Sequence, residues 1–302
     1  MEVSSAWTRH PRTRRLVARA GAAGCVCLAV AVLGSASASA SGKAGAPATI
    51  AKAGVLTVCS DEIEPPFIYA KTSGQLTGSE YDIVAHAAKA WGVKLRFVRT
   101  GFDGLFANLK VGRCNVAIDE ITDTAAREKS VAFVDYMSVG QTFLVAKGNP
   151  DHITTFGDLC GRAAGGVLGS TDLAYLYTVQ AKCVADNKPA MTVEAFNDDP
   201  TGVTAIITGK IQAFEEDTPL LSGLVAAHPK EVQLSSQTEV DRLPCGIAVV
   251  KGAKAVQNDL AKELNRLYAS SSMQAIFKKF KESGVALSGK NPVKVDAVGK
   301  SA

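Results

Sequence analysis

Histidine is scarce in this 302-residue chain, four in all and scattered, and there is no Cys-x-x-Cys pair. Neither a zinc site nor a dithiol redox centre is expected. The chain also lacks Gly-x-Ser-x-Gly, His-Glu-x-x-His and a complete Gly-x-x-x-x-Gly-Lys-Ser/Thr phosphate loop. No nucleophile or acid–base pair stands out, so the expectation is a protein without catalytic residues, metal or cofactor. Past residue 40, no apolar stretch approaches the roughly 20 residues that a bilayer span needs.

What is present begins with an address. Arg9, Arg12, Arg14, Arg15 and Arg19 precede an apolar, small-residue run over 20–33, which ends in Ser35-Ala36-Ser37-Ala38-Ser39-Ala40. A charged start, an apolar middle and an Ala-x-Ala end are the parts of a cleavable secretory signal, so residues 1–40 read as an export signal cut after Ala40. Arg14-Arg15 resembles a twin-arginine signal without separating that route from the general one. The signal takes five Arg and one Glu from totals of 33 basic and 29 acidic residues, leaving 28 charges of each sign. The apparent basicity therefore leaves with the signal and gives no support for nucleic-acid binding. The remaining residues predict a soluble, exported monomer, long enough for two lobes with a core each. Five cysteines stay with it (Cys59, Cys114, Cys160, Cys183 and Cys245), an odd count that leaves at least one thiol unpaired.

Residues 41–50, rich in Ser, Gly, Ala and Pro, read as a flexible tether. The pattern then alternates. It predicts strand 55–59, a turn over 62–66, helix 81–91 stopped by Gly92, strand 93–98, helix 102–109 and strand 115–118. Strand 141–147 precedes the Gly148-Asn149-Pro150 break. A second unit repeats the rhythm with strand 162–168, a helix from Thr171, strand 191–196, helix 201–208 and strand 211–215. Strand 246–251 and helices 255–270 and 273–281 follow, and 289–302 reads as a flexible tail. The fold class is α/β, with mainly parallel sheets flanked by helices.

Several phrases carry more. They are GVLTVCSD with PPF and YDIV, then GFDGLFANLKVGRCNVAI, ITDTAAREKSVAFVDYM, FGDLCGRAAGGVLGST and GKIQAFEED. In this order, from 55 to 284, they resemble the family 3 solute-binding proteins, the polar-amino-acid receptors of bacterial ABC importers. The resemblance implies a two-lobed, periplasmic-binding-protein-like type II fold, with lobe 1 at 51–144 plus 242–288, lobe 2 at 145–241, and two hinge strands. It also implies an amino-acid ligand enclosed between the lobes and a membrane permease as partner. Several relatives carry a cysteine pair matching Cys160 and Cys183. Cys59 and Cys114 lie on strands that should be neighbours in such a fold, a second candidate pair.

Residue by residue, the resemblance places Arg127, Thr122, Ser170 and Thr171 around the ligand's carboxylate. A guanidinium fork and a helix N-terminus both suit that anion. The alternative for Ser170 is a plain helix cap. Asp217, with Glu120, matches the ammonium site, while Glu215 and Glu216 are expected to be solvated or structural. Asp61, Glu64, Glu80, Phe102 and Asp119 fall around the ligand side chain. Glu64 departs from the family's aromatic and Glu120 from its usual small residue. So many carboxylates in one cleft repel one another unless a cation relieves them, which favours an arginine-, lysine- or ornithine-like ligand. Were Asp61, Glu64 and Glu80 instead to face solvent, a neutral polar amino acid would fit. Two other classes stay open: a cyclohexadienyl-dehydratase-like enzyme on the same fold, and a soluble partner of an envelope protein.

Overall fold

The computed structural model describes residues 45–298; the signal expected over 1–40 lies outside them. No described helix is long and apolar enough to cross a membrane. Helix α1 (Ala48–Ala53) leads into strand β1 (Val55–Ser60), the short strands β2 (Ile63–Glu64), β3 (Ile68–Ala70) and β4 (Leu76–Thr77), and helix α2 (Ser79–Trp91). Strand β5 (Lys94–Arg99), helix α3 (Leu105–Lys110) and strand β6 (Val116–Ala117) complete the first unit, in which β1 runs parallel to β5 and to β6. The helical stripe Ile83, Val84, Ala87, Ala88 and Trp91 is buried. Gly92 ends α2 at φ 57°, a left-handed conformation that glycine adopts without a Cβ clash.

Strand β7 (Val131–Ala146) then runs for 16 residues, buried at nearly every position. Strand β8 (Ala163–Val167), helix α4 (Thr171–Ala185), strand β9 (Thr192–Phe196), helix α5 (Asp199–Ile207) and strand β10 (Ala213–Asp217) form a second parallel unit around β8. Helix α6 (Thr218–Ala227) and strand β11 (Val232–Leu234) follow. Strand β12 (Val240–Val250) returns antiparallel along β7, and helices α7 (Lys254–Ala269) and α8 (Ser272–Lys279) and strand β13 (Lys294–Val295) close the chain. Sheet order β5-β1-β6-β12-β7-β10-β8-β9 puts the antiparallel pair β12–β7 between the two parallel units. The expected two-lobed α/β architecture is thus present, with β7 and β12 as the shared strands.

Three expectations need correction. Strand β7 begins at Val131 and not at 141, because a strand covered on both faces shows no two-residue alternation. The tether is partly structured: Ile50, in α1, is only 1% exposed and sits in the main core. The tail is anchored through Val298. Val293 is buried, β13 pairs with β7, and Asp296 accepts hydrogen bonds from Phe133 N–H (2.8 Å) and Gln257 Nε2 (2.9 Å). Its few apolar residues add to an existing strand, which needs no periodicity of their own.

Both disulfides form. Cys59–Cys114 has Cα atoms 5.7 Å apart and Cys160–Cys183 5.5 Å, leaving Cys245 as a buried thiol. Each cross-link removes unfolded-chain entropy worth roughly 3–4 kcal/mol. Cys59 and Cys114 pack beneath α3 with Leu105, Leu109 and Phe133; Cys160 and Cys183 pack with Leu159, Leu176 and Val179.

Candidate functional site

The site lies where α/β sheets place ligands, at the carboxyl ends of parallel strands. Strand β1 ends at Ser60 and runs into Asp61, as β6 runs toward Asp119 and Glu120. Asp119 accepts from Ser60 Oγ (2.8 Å) and from Asp61 N–H (3.1 Å), which ties the two strand ends together. Glu62 and Glu120 both take positive φ, 65° and 49°, an uncommon conformation for side-chain-bearing residues that clusters at binding sites. The turn at Glu62 brings Glu64 back beside Asp61 and Asp119; oxygens of these three carboxylates lie within 4.8 Å of one another. The turn at Glu120 directs its N–H to Glu80 Oε1 (2.8 Å).

Glu80 is fully buried and also accepts from the Tyr136 hydroxyl. One of its oxygens is thus spent on holding the β6 turn. Burial raises its pKa to about 7 despite these donors.

Arg127, Thr122 and Thr171, expected around a ligand carboxylate, lie together with Ser170 beside them. Arg127 donates from Nη1 to the Thr122 carbonyl (2.7 Å) and from Nη2 to the Gly169 carbonyl (3.0 Å). Its guanidinium lies 5.5 Å from the Phe102 ring centroid and 5.9 Å from that of Phe106, within cation–π range. Gly169, at φ 85°, makes the left-handed turn that starts α4. Ser170 caps that helix by accepting Leu173 N–H (3.0 Å). Thr171 Oγ1 meets Thr122 Oγ1 at 3.2 Å and receives Gln141 Nε2 at 3.3 Å. Ser170 therefore performs the capping role, and its hydroxyl stands at the same helix N-terminus as Thr171. Burial draws the Arg127 pKa down, while Asp172, Asp217 and Glu216 pull it back up.

Bordering this group is an acidic wall drawn from both units, which begins at Asp172, its Oδ2 3.5 Å from Thr171 Oγ1. Asp61, Glu64, Asp119 and Glu120 come from the first; Asp172, Asp199, Glu216 and Asp217 come from the second, and all are buried. Among the described residues none of them is paired with Lys or Arg within an ion-pair distance. Oxygens of Glu64, Glu120, Asp172, Asp199, Glu216 and Asp217 have no hydrogen-bond partner. Burial and then mutual repulsion push these carboxyls upward: Glu64 by Asp119 and Asp61, Glu120 by Asp217 and Glu80. Asp61 is raised to about 6, again by burial first, with Arg99 offsetting part of it.

Glu215 and Glu216 are both buried, which removes the solvated alternative and leaves the structural one. They lie on β10, which is covered by β7 on one edge and β8 on the other. Asp172 and Asp199 were not anticipated. Each follows a helix cap, where an acid usually serves the helix dipole at the surface, so only their burial reveals them. Gln141, at the middle of β7, is a further polar group that strand periodicity does not single out.

Comparison with known proteins adds an independent line. The family described as bacterial extracellular solute-binding proteins, family 3, matches residues 56–283. The L-cystine-binding protein TcyJ of Escherichia coli (strain K12) is 27% identical over 232 residues, 76% of this chain and 84% of TcyJ. An ancestral arginine-binding protein bound to arginine is 29% identical with a TM-score of 0.69, covering 75% of this chain and 98% of the other. An ancestral amino acid-binding protein, AncCDT-1, described as a precursor of cyclohexadienyl dehydratase, is 27% identical with a TM-score of 0.69, covering 77% of this chain and 97% of the other.

Proposed function

Because this chain belongs to the bacterial extracellular solute-binding proteins, family 3, we propose that it is an exported receptor that encloses a cationic amino acid and delivers it to an ABC-type permease. The lobes would be 51–144 with 242–288, and 145–241, hinged on β7 and β12. The ligand carboxylate would meet the spare guanidinium donors of Arg127, Thr122, and the α4 N-terminus at Ser170 and Thr171. Its ammonium would lie between Asp217 and Glu120, and its side-chain cation would reach Asp61, Glu64 and Asp119.

One observation carries the choice of ligand. The acidic wall holds buried carboxylates with unpartnered oxygens, and among the described residues no basic side chain is ion-paired to them. A neutral ligand would leave these groups to keep their protons. A cation lets them ionise and pairs the oxygens, giving the closed form the differential affinity that closure requires. The likeness to an arginine-binding protein supports the reading, and the likeness to a cystine-binding one counsels testing disulfide amino acids too.

The test is calorimetric titration of ligand-stripped protein with an amino-acid panel. Arginine, lysine or ornithine should bind tightly, with protons released on binding. Tight binding of glutamine, glutamate or cystine with no response to cationic amino acids would overturn the ligand assignment.

A second reading has its own support. Burial and then neighbouring carboxylates push Glu64 and Glu120 upward, the direction that a general acid for dehydration needs, and AncCDT-1 is a structural neighbour. Turnover of prephenate or arogenate would establish it; tight amino-acid binding without turnover would dismiss it.

A further inference from the structure

We propose that Asp61, Glu64 and Asp119 form a binding site for a hard divalent cation, calcium above magnesium, which the ligand's cationic group must displace. The three carboxylates are buried, and their ligating oxygens lie within 4.8 Å of one another. Three oxygens within that bound can share one ion at calcium–oxygen distances of about 2.3–2.6 Å. Calcium is favoured over magnesium because it accepts irregular carboxylate geometry, whereas magnesium demands a near-octahedral shell and holds its waters more firmly. The donor set is oxygen alone, with neither His nor Cys, which excludes zinc and copper as natural occupants.

A second observation points to an occupant. Glu64 is only 4% exposed, and its Oε2 has no hydrogen-bond partner. A buried carboxylate oxygen without a donor is costly, and a metal ion removes that cost. Asp61 and Asp119 are already held in place by Ile63 N–H (2.9 Å) and Ser60 Oγ (2.8 Å), so the site needs little rearrangement. Ser60 and Asp61 from β1, Glu64 from β2 and Asp119 after β6 all precede β7 in the chain. The site is therefore complete without the second unit.

This inference goes beyond the amino-acid reading. Ion and cationic side chain are alternative occupants of one set of carboxylates, so calcium would tune capture of the amino acid by competition.

The experiment is calorimetric titration of calcium chloride, then magnesium chloride, into full-length mature protein stripped of ligand and metal, with no amino acid present. Its result does not depend on which amino acid the receptor takes. One calcium per protein is expected, with a Kd of about 10⁻⁴–10⁻³ M, the range of extracellular calcium modules, and weaker magnesium binding. The melting temperature should rise with calcium through binding linkage. Glu64→Gln should weaken calcium at least about tenfold, and Asp61→Asn likewise. Absence of both heat and thermal shift in the wild-type protein would overturn the site. So would a folded Glu64→Gln protein that binds calcium as before.

Discussion

The two ends of the cleft are built on opposite principles. Around Arg127 nearly every polar group has a partner: carbonyls for the guanidinium, a backbone N–H for Ser170, a hydroxyl and an amide for Thr171. Along the acidic wall, Glu64, Glu120, Asp172, Asp199, Glu216 and Asp217 each keep an oxygen with none, Asp172 beside Thr171 included. On the proposed reading, the satisfied group is set before the ligand arrives and would serve any amino acid, since all share a carboxylate. The unsatisfied carboxylates are stable only when protonated or when a cation fills the site, and so they would discriminate. Common recognition and specificity would thereby be separated within one cleft.

The largest effect should come from breaking the satisfied end. Arg127→Ala should lower affinity for every amino acid that binds by about 100-fold or more, since it also strands the Thr122 and Gly169 carbonyls. Calorimetry that found the loss confined to cationic ligands would erase the proposed division of labour.

Glu64→Gln makes the opposite cut. Affinity for arginine should fall about tenfold, while neutral amino acids change little and the ligand-free protein melts higher at alkaline pH. Equal losses for both ligand classes would show that the acidic end does not discriminate.

The pH dependence follows from carboxyls raised in the fold. Asp61 is raised to about 6, Glu80 to about 7 and Glu282 to about 8, in each case with burial as the first cause. The folded protein holds protons that the unfolded chain releases above about pH 4, so this contribution is whole below that pH. It is lost as pH rises through 6 to 8. The melting temperature of ligand-free protein should therefore be lower at about pH 8.5 than at about pH 5.5, and a saturating cationic ligand should flatten the difference. A profile that climbs toward alkaline pH would contradict the unrelieved acidic wall.

Phe102→Leu should have the smallest effect. It removes one face of guanidinium stacking, worth about 0.5–1 kcal/mol, so affinity should fall only a few-fold.

Sequence reasoning served the two ends unequally, and for a physical reason. Arg127, Thr122, Ser170 and Thr171 sit in phrases that resemble the family's, so the resemblance singles them out, and the structure brings them together. The acidic end is assembled by topology. Asp172 and Asp199 look like ordinary helix-start acids, and Glu216 looks like an exposed strand residue; only the packing of α4, α5 and β10 shows them buried together. The fold divides similarly. Helix α2 and strand β1 are legible from their apolar spacing. The first half of β7 is hidden by burial on both faces, and α6 by its lack of polar alternation, although Pro219 marks its first turn.

The order of the disulfides has a consequence for how the chain matures. Among the described residues the cysteines pair in sequence, Cys59 with Cys114 and Cys160 with Cys183, and Cys245 comes last and stays reduced. Were the chain exported unfolded, by the general route and not the twin-arginine one, an oxidase that joins thiols as they emerge would make the native bonds first. No non-native bridge would then have to be undone, and on that route biogenesis should tolerate the loss of a disulfide isomerase while depending on the oxidase.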